Sequence, residues 1–250
     1  MTEQEYNKAI GLRSSSLKAY ISNPDKHAYE LNNPSDKEPL HFKEGTATHM
    51  AYYEPERFKT NYHIYEGNTI ASGEPDAKGR KVLQTEGITE YLTTVQVQKY
   101  NDIAQSLPKL PKDDIVVEQS YFKEIEGVPC KCRVDAVING IGQDLKTTQN
   151  AQPNKFKWSI RDLNYMYQFA FYSLVSGIET WEILAVEKTP PYINHRYLIT
   201  KEDLEPYING SDTIQGLLGE YGLIKEYANW EANGMPKQGY GEPSKISELW

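Results

Sequence analysis

Two aspartates and a lysine, Asp135, Asp144 and Lys146, flank an Asn139-Gly140 pair in the run Asp135-Ala-Val-Ile-Asn-Gly-Ile-Gly-Gln-Asp144-Leu-Lys146-Thr147. Asn-Gly between apolar runs is the strongest short hairpin signal, because both turn positions need positive φ. Counting outward from a two-residue turn sets Ile138 against Ile141, Val137 against Gly142, Ala136 against Gln143 and Asp135 against Asp144. Pairs alternate in hydrogen-bonding type, which puts the two aspartates at a non-hydrogen-bonded position with Cα atoms about 4.5 Å apart. Carboxylates so opposed repel. A hard divalent cation between them removes the repulsion, and Mg²⁺ is usually held by one or two carboxylates with water and phosphate. Lys146, two residues past Asp144, points to the same face. Two acids and a lysine on one face of a hairpin suit metal-dependent phosphodiester hydrolysis. The acids place the cation, whose chemistry is to polarise a phosphate and acidify water, and the lysine orients that water or neutralises developing charge. The same residues would also serve a solvent-exposed hairpin in which the acids pair with Lys146 and Arg133.

The elements that must position these residues are legible on both sides. Ile115 to Lys123 alternates like a strand, Glu126-Gly127 makes a turn, and Val128 to Ile138 runs into the hairpin, giving an antiparallel meander of 115–123, 128–138 and 141–147. Glu118 on the first strand could reach the same cation; a charged residue near a sheet edge explains it equally well. Phe156 to Gly177 reads as one long amphipathic helix closed by Gly177, with Ile160, Leu163, Met166, Tyr167, Ala170, Phe171 and Leu174 on its apolar face. Beside that stripe stand Tyr165, Gln168 and Tyr172, which suit either rim packing or contacts to a phosphate or nucleotide. Lys155, Lys157 and Arg161 add positive charge near the helix start and could grip a DNA backbone. Trp181 to Lys188 and Asn194 to Ile199 read as strands. Lys201 to Asn229 reads as helical with an interruption near Gly210, and the tail from Asn233 as an extended arm packing through Tyr240 and Trp250.

Upstream, Ser14 to Ser16 offer N-caps to a helix with Leu17, Tyr20 and Ile21 as its stripe. Pro24 starts a second helix with Ala28 and Leu31 inward. Gly45-Thr46 reads as a helix start with His49 one turn in, among small residues that allow close approach of another element. Residues 54–75 read as an irregular excursion with a short strand at Tyr62 to Tyr65, a candidate mobile loop near substrate. From Asp76 to Leu107 the pattern is helical, with Val82, Leu83, Ile88, Tyr91, Leu92, Val95, Tyr100, Ile103 and Leu107 as the stripe and a break at Gly87.

Composition narrows the class. A chain of 250 residues with 38% hydrophobic and 25% charged residues is an ordinary soluble globular protein. It shows no membrane span and no signal peptide, and a cytoplasmic location is expected. The net charge of −8 argues against indiscriminate DNA coating, whose affinity comes mostly from phosphate neutralisation. It leaves room for a basic groove on an acidic body, because the local field decides. Cys130 and Cys132, read as turned to opposite faces of a strand, are not expected to bridge, and two cysteines are too few for a structural zinc or iron–sulfur site.

Assembled in order, five segments resemble the PD-(D/E)XK nuclease superfamily and, within it, the RecE-type (exonuclease VIII-like) exonucleases of phages and prophages. They are Ser16-Leu17…Tyr20…Asn23-Pro24, Gly45-Thr-Ala-Thr-His49, Val134-Asp135, Asp144-Leu-Lys146-Thr147-Thr148 and Tyr165…Gln168…Tyr172, with a closing Gly239-Tyr240…Leu249-Trp250. The resemblance implies a single α/β (α+β) domain over residues 1–250, with a helical N-terminal region (1–110), a catalytic core (111–200) and a C-terminal helix and arm (201–250). Its centre would be a mixed β-sheet flanked by helices, the restriction-endonuclease-like core. It implies an Mg²⁺ site, with Mn²⁺ able to substitute, whose ligands are His49, Asp135 and Asp144, joined by Glu118 and the Leu145 backbone carbonyl. Lys146 would be the catalytic lysine, working with Asp135, Asp144 and Gln168. Gln168, Tyr165 and Tyr172 would position the DNA strand. The implied reaction is 5′→3′ degradation of one strand of linear duplex DNA, leaving a 3′ tail for a single-strand annealing protein, by a ring-shaped homo-oligomer. Asn23 stands where some RecB-type relatives carry a cluster cysteine, so no iron–sulfur cluster is expected. The first acid follows Val134 rather than proline, and the chain reads as the minimal nuclease module.

Overall fold

The computed structural model describes residues 1–34 and 40–237, with the side chains of Glu3 and of residues 40–42 left aside. Helices α1 (Glu3–Lys8), α2 (Ser14–Ser22), α3 (Pro24–Asn32), α4 (Leu40–Tyr53) and α5 (Pro55–Asn61) lead into strand β1 (His63–Tyr65), helix α6 (Ala77–Thr85), strand β2 (Tyr91–Thr93) and helix α7 (Thr94–Ser106). Strands β3 (Ile115–Ile125), β4 (Val128–Ile138) and β5 (Ile141–Thr148) follow, then helices α8 (Pro153–Asp162) and α9 (Tyr165–Ser176). Strands β6 (Trp181–Glu187) and β7 (Asn194–Ile199) and helices α10 (Lys201–Asn209) and α11 (Leu223–Ala232) complete the order.

The main sheet runs β3-β4-β5-β6-β7. Its pairs are antiparallel except β5–β6, which is parallel. A parallel neighbour needs a crossover, and α8 and α9 supply it. The sheet is therefore mixed and flanked by helices, the α+β class expected. Cores form on both faces, as the alternation of β6 shows: Trp181, Ile183 and Ala185 join α2, α9 and α11 on one side, Leu184 and Val186 join α4 and α7 on the other. The Asn139-Gly140 turn forms as expected, with φ of +51° and +80°.

At the site, strand β4 breaks the rule that residues two apart share a face. Val134 lies in the first core and Ala136 in the second, so β4 changes sides at Asp135. There the sheet opens. The β4–β5 ladder pairs Ile138–Ile141, Val137–Gly142 and Ala136–Gln143, and Asp135 uses its side chain instead, accepting the Leu145 N–H at 2.9 Å. The expected aspartate-against-aspartate pair is thus corrected: Asp135 is wedged into a gap between strands, because its carboxylate replaces a ladder acceptor.

Other expectations are corrected by the packing. The helix 156–177 is two helices, broken where Asn164 adopts a left-handed φ of +53° and bonds Ser22 Oγ at 3.1 Å; the break turns Leu163 out to solvent, 52% exposed. Gly45 lies inside α4, placing His49 in that helix's third turn. Helix α5 begins at Pro55 and strand β2 interrupts the 76–107 helical region, pairing in parallel with β1. Leu31, Val82 and Val95 are exposed. On α3 the buried residue is His27, whose Nε2 is 3.3 Å from Tyr227 Oη. Cys130 and Cys132 share one core and are both free, since alternate strand residues face the same way. The arm through Tyr240 and Trp250 lies outside the described residues, as does the closing segment of the resemblance. Among the described residues no helix is long and apolar enough to cross a membrane.

Candidate active site

The gap at Asp135 gathers side chains from three elements. Asp135 Oδ2 lies 3.2 Å from His49 Nδ1, and His49 Nε2 lies 2.7 Å from the Leu145 carbonyl oxygen. A carbonyl only accepts, so Nε2 carries a proton, and the Nδ1–carboxylate contact needs a further proton on one partner or the other. Glu118 sits across β3–β4 from Asp135, between the pairs Val117–Ala136 and Gln119–Val134. Its φ is +56°, a conformation that non-glycine residues hold only where surroundings impose it. The Glu118 carboxylate pairs with the Arg133 guanidinium. Ligand atoms of His49, Glu118 and Asp135 all lie within 4.8 Å of one another, so the sheet and α4 converge on one point.

Burial pushes the Asp135 carboxyl up to about 7, with His49 opposing the rise and Asp144 adding to it. A group so desolvated gains most from a cation placed beside it. One nitrogen and two carboxylates at that spacing are a donor set a divalent metal ion fits.

Asp144 and Lys146 stand next to this group. Asp144 is buried; its Oδ1 accepts from Gln168 Nε2 at 2.7 Å, and Lys146 Nζ lies 2.6 Å from Oδ2. The ammonium meets Oδ2 as an ion pair rather than an aligned hydrogen bond, so that oxygen retains acceptor capacity. Lys146 also lies 4.9 Å from the centroid of the Tyr165 ring. Burial works against its charge, but Asp144, followed by Tyr165 and Asp135, outweighs burial and holds its pKa above the ordinary lysine value. Lys146 is therefore a committed ammonium.

Of the residues marked in the sequence, His49, Glu118 and Asp135 come together around one point, and Asp144, Lys146, Gln168 and Tyr165 form a connected second group. The Asp144 carboxylate faces Lys146 and Gln168 and lies outside the three-ligand group. Tyr165 is buried, and Tyr172 is half-buried with its hydroxyl pKa driven well up by burial; both support the site from within. Lys155, Lys157 and Arg161 are exposed on α8. Lys157 and Arg161 lie over the Trp158 ring at 5.0 and 4.4 Å. A cavity of 430 Å³ opens above the centre, lined by His49, Glu118, Arg133, Lys146 and Tyr165. A larger one of 630 Å³ lies elsewhere, where Glu44 already pairs with Lys99 and Lys188.

Sequence reasoning missed Lys18. Its Nζ donates to Gln168 Oε1 at 2.6 Å, so Gln168 links it to Asp144. A lone lysine beside Leu17 in an otherwise small and apolar helix was the only signal.

The family described as a PDDEXK-like domain of unknown function (DUF3799) matches residues 14–231. The chain belongs to that family, and with it to the PD-(D/E)XK nuclease type. No curated protein matches it. Among solved structures, a protein called "Putative exonuclease" from Eubacterium rectale is similar at 15% identity and a TM-score of 0.61, with 99% of this chain and 95% of that one covered. A phage related exonuclease from Haemophilus somnus matches at 14% identity and a TM-score of 0.35, covering 92% of this chain and 99% of that one.

Proposed function

We propose that this nuclease is a divalent-cation-dependent exodeoxyribonuclease that degrades linear duplex DNA from its ends, 5′→3′, and leaves 3′ single-stranded tails. The observation that carries the reading is the convergence of His49, Glu118 and Asp135 beside the Asp144–Lys146 pair. Mg²⁺ is the proposed cation, with Mn²⁺ as a substitute. End-directed action rests on the sequence resemblance to RecE-type enzymes, and the name of the Eubacterium rectale protein agrees with it. From the same resemblance come an annealing protein as partner, a ring-shaped oligomer that threads DNA, and a cytoplasmic site of action.

His49, Glu118 and Asp135 would hold the cation, with Asp144 and the Leu145 carbonyl as the remaining donors. When bound, it supplies Lewis-acid polarisation of the scissile phosphate and a water acidic enough to attack at neutral pH. The chain's own groups do the rest. Lys146, charged and seated on Tyr165, donates its N–H groups to the attacking water or to a non-bridging phosphate oxygen; as an ammonium it does not take the proton. Gln168 holds Asp144 against Lys146. Arg133 and Lys146 line the cavity and would attract the phosphate backbone, which lets a chain of net charge −8 accept DNA locally. Lys155, Lys157 and Arg161 on α8 would grip the backbone further out.

The test is incubation with Mg²⁺ of linear duplex DNA labelled at either end, beside covalently closed circles. Loss of linear DNA with circles spared, and early release of the 5′ label, is expected. Nicked circles would replace this reading by an endonuclease. No cleavage under Mg²⁺ or Mn²⁺ would leave a DNA-binding accessory protein of recombination.

A further inference from the structure

Lys18 has no role in the chemistry above, yet its ammonium lies inside the hydrogen-bonded frame of the site. Helix α2 is seated on the first core by Leu17 and Tyr20, which leaves Lys18 half-buried against α9. Its Nζ is 2.6 Å from Gln168 Oε1 and 5.3 Å from the centroid of the Tyr165 ring, the ring that Lys146 also contacts. Burial, then repulsion from Lys146, lowers the Lys18 pKa to about 8, with Asp144 opposing. Placing a second ammonium there is unfavourable, and a leucine or methionine would fill the space without that penalty.

Donor and acceptor logic gives the lysine a task. A glutamine amide has an accepting end and a donating end, a carboxylate only accepts, and an ammonium only donates. With Lys18 on one side of Gln168 and Asp144 on the other, a single orientation of the amide satisfies both neighbours: Oε1 to Lys18 and Nε2 to Asp144. Without Lys18, Oε1 would lose its donor, and the Asp144 carboxylate alone would have to select the orientation of the amide.

We propose that Lys18 is a positioning residue: it fixes the orientation of the Gln168 amide and, through it, holds the Asp144 carboxylate in place beside Lys146. The kinetic consequence rests on the nuclease reading; the geometric one does not.

The experiment compares Lys18→Met, Lys18→Arg, Gln168→Ala and the Lys18→Met/Gln168→Ala pair. Lys18→Met is expected to lower kcat about ten- to a hundredfold, the worth of a charge-assisted hydrogen bond, with KM for DNA unchanged. Lys18→Arg, also a pure donor, should restore most of it. In the Gln168→Ala background, Lys18→Met should cost nothing further. Additive losses would overturn the proposal, and so would wild-type kcat in Lys18→Met. A lysine that simply gripped phosphate would instead raise KM and reduce the salt slope of DNA binding by about one, which also overturns it. A readout free of catalysis is solvent exchange of the Gln168 side-chain amide protons in ¹⁵N-labelled protein, expected slow in wild type and in Lys18→Arg and fast in Lys18→Met. Equal exchange in all three refutes the positioning role. If the wild-type protein cuts no DNA, the function falls and the exchange experiment still decides the role of Lys18.

Discussion

Replacing Asp135 by Asn separates what the site costs the fold from what it does for chemistry. Asparagine keeps an acceptor for the Leu145 N–H, but His49 Nδ1 meets that same oxygen, Oδ2, so the amide oxygen preserves the Leu145 contact at the expense of the His49 one. The charge disappears as well. Burial lifts the Asp135 carboxyl from 3.8 to about 7. A carboxyl whose folded pKa stands above its unfolded value is protonated longer in the native state. The native state therefore binds more protons between pH about 4 and 7, and metal-free stability falls as pH rises through that window. About three pH units at about 1.4 kcal/mol each set a ceiling near 4 kcal/mol. Setting about 1 kcal/mol for the lost His49 contact against that gain, Asp135→Asn in EDTA is expected to be more stable than wild type by about 1–3 kcal/mol at pH 8 and no more stable at pH 4.5. Urea unfolding at the two pH values measures the difference. Calorimetric titration with Mn²⁺ should show that the stabilised variant has lost the cation. Equal stability at pH 8, or a gain of the same size at pH 4.5, would refute the argument that a desolvated carboxylate strains the metal-free fold.

Asp144→Asn and Lys146→Ala should each reduce cleavage on the order of a thousandfold; each also leaves one member of a buried ion pair without its partner, so each should cost up to about 3–5 kcal/mol, and circular dichroism and urea unfolding accompany the assay. Near-wild-type activity in either removes that residue from the chemistry. Asp144→Ala is less informative than Asp144→Asn, because it also removes the acceptor of the Gln168 amide. Asn164→Ala, at a left-handed φ of +53°, should cost about 1–2 kcal/mol in urea unfolding, while Asn164→Gly should change stability by less than about 1 kcal/mol. Unchanged stability in the alanine variant would mean that the α8–α9 break is held by something other than this backbone preference.

The features of the fold governed by local chemistry were legible in the sequence. The Asn139-Gly140 turn, the antiparallel meander of β3, β4 and β5 and the Asp144-x-Lys146 spacing follow from turn signals and strand patterning, and β4 formed over the residues expected. What was not legible depends on neighbours far along the chain. Nothing in Leu163-Asn164 says that a helix must break there, since Asn tolerates helix and left-handed backbone alike; Ser22, 142 residues away, helps to decide. The gap between β4 and β5 was hidden for the same reason: a count from the turn assumes an unbroken ladder, and Asp135 breaks it by substituting a side-chain oxygen. His49 was found through the resemblance rather than through its helix, whose start was misplaced because Gly45 was read as a terminus and lies inside α4.

The site collects several departures from ordinary folding rules within a few residues. Glu118 holds a left-handed backbone, Asp135 is a desolvated carboxylate, β4 changes faces, and Lys18 and Lys146 press on one aromatic ring. Each is unfavourable alone, and a sheet packed on both sides can impose them together because its strands have no room to relax. The departures also share a direction: buried negative charge at one point, held rigidly, with fixed positive charge beside it. An arrangement selected for stability alone would replace Asp135 and Lys18 by neutral groups of similar size. Their presence in one place is what a centre built for a divalent cation and a phosphate requires, because both ligands relieve the charges that otherwise strain it.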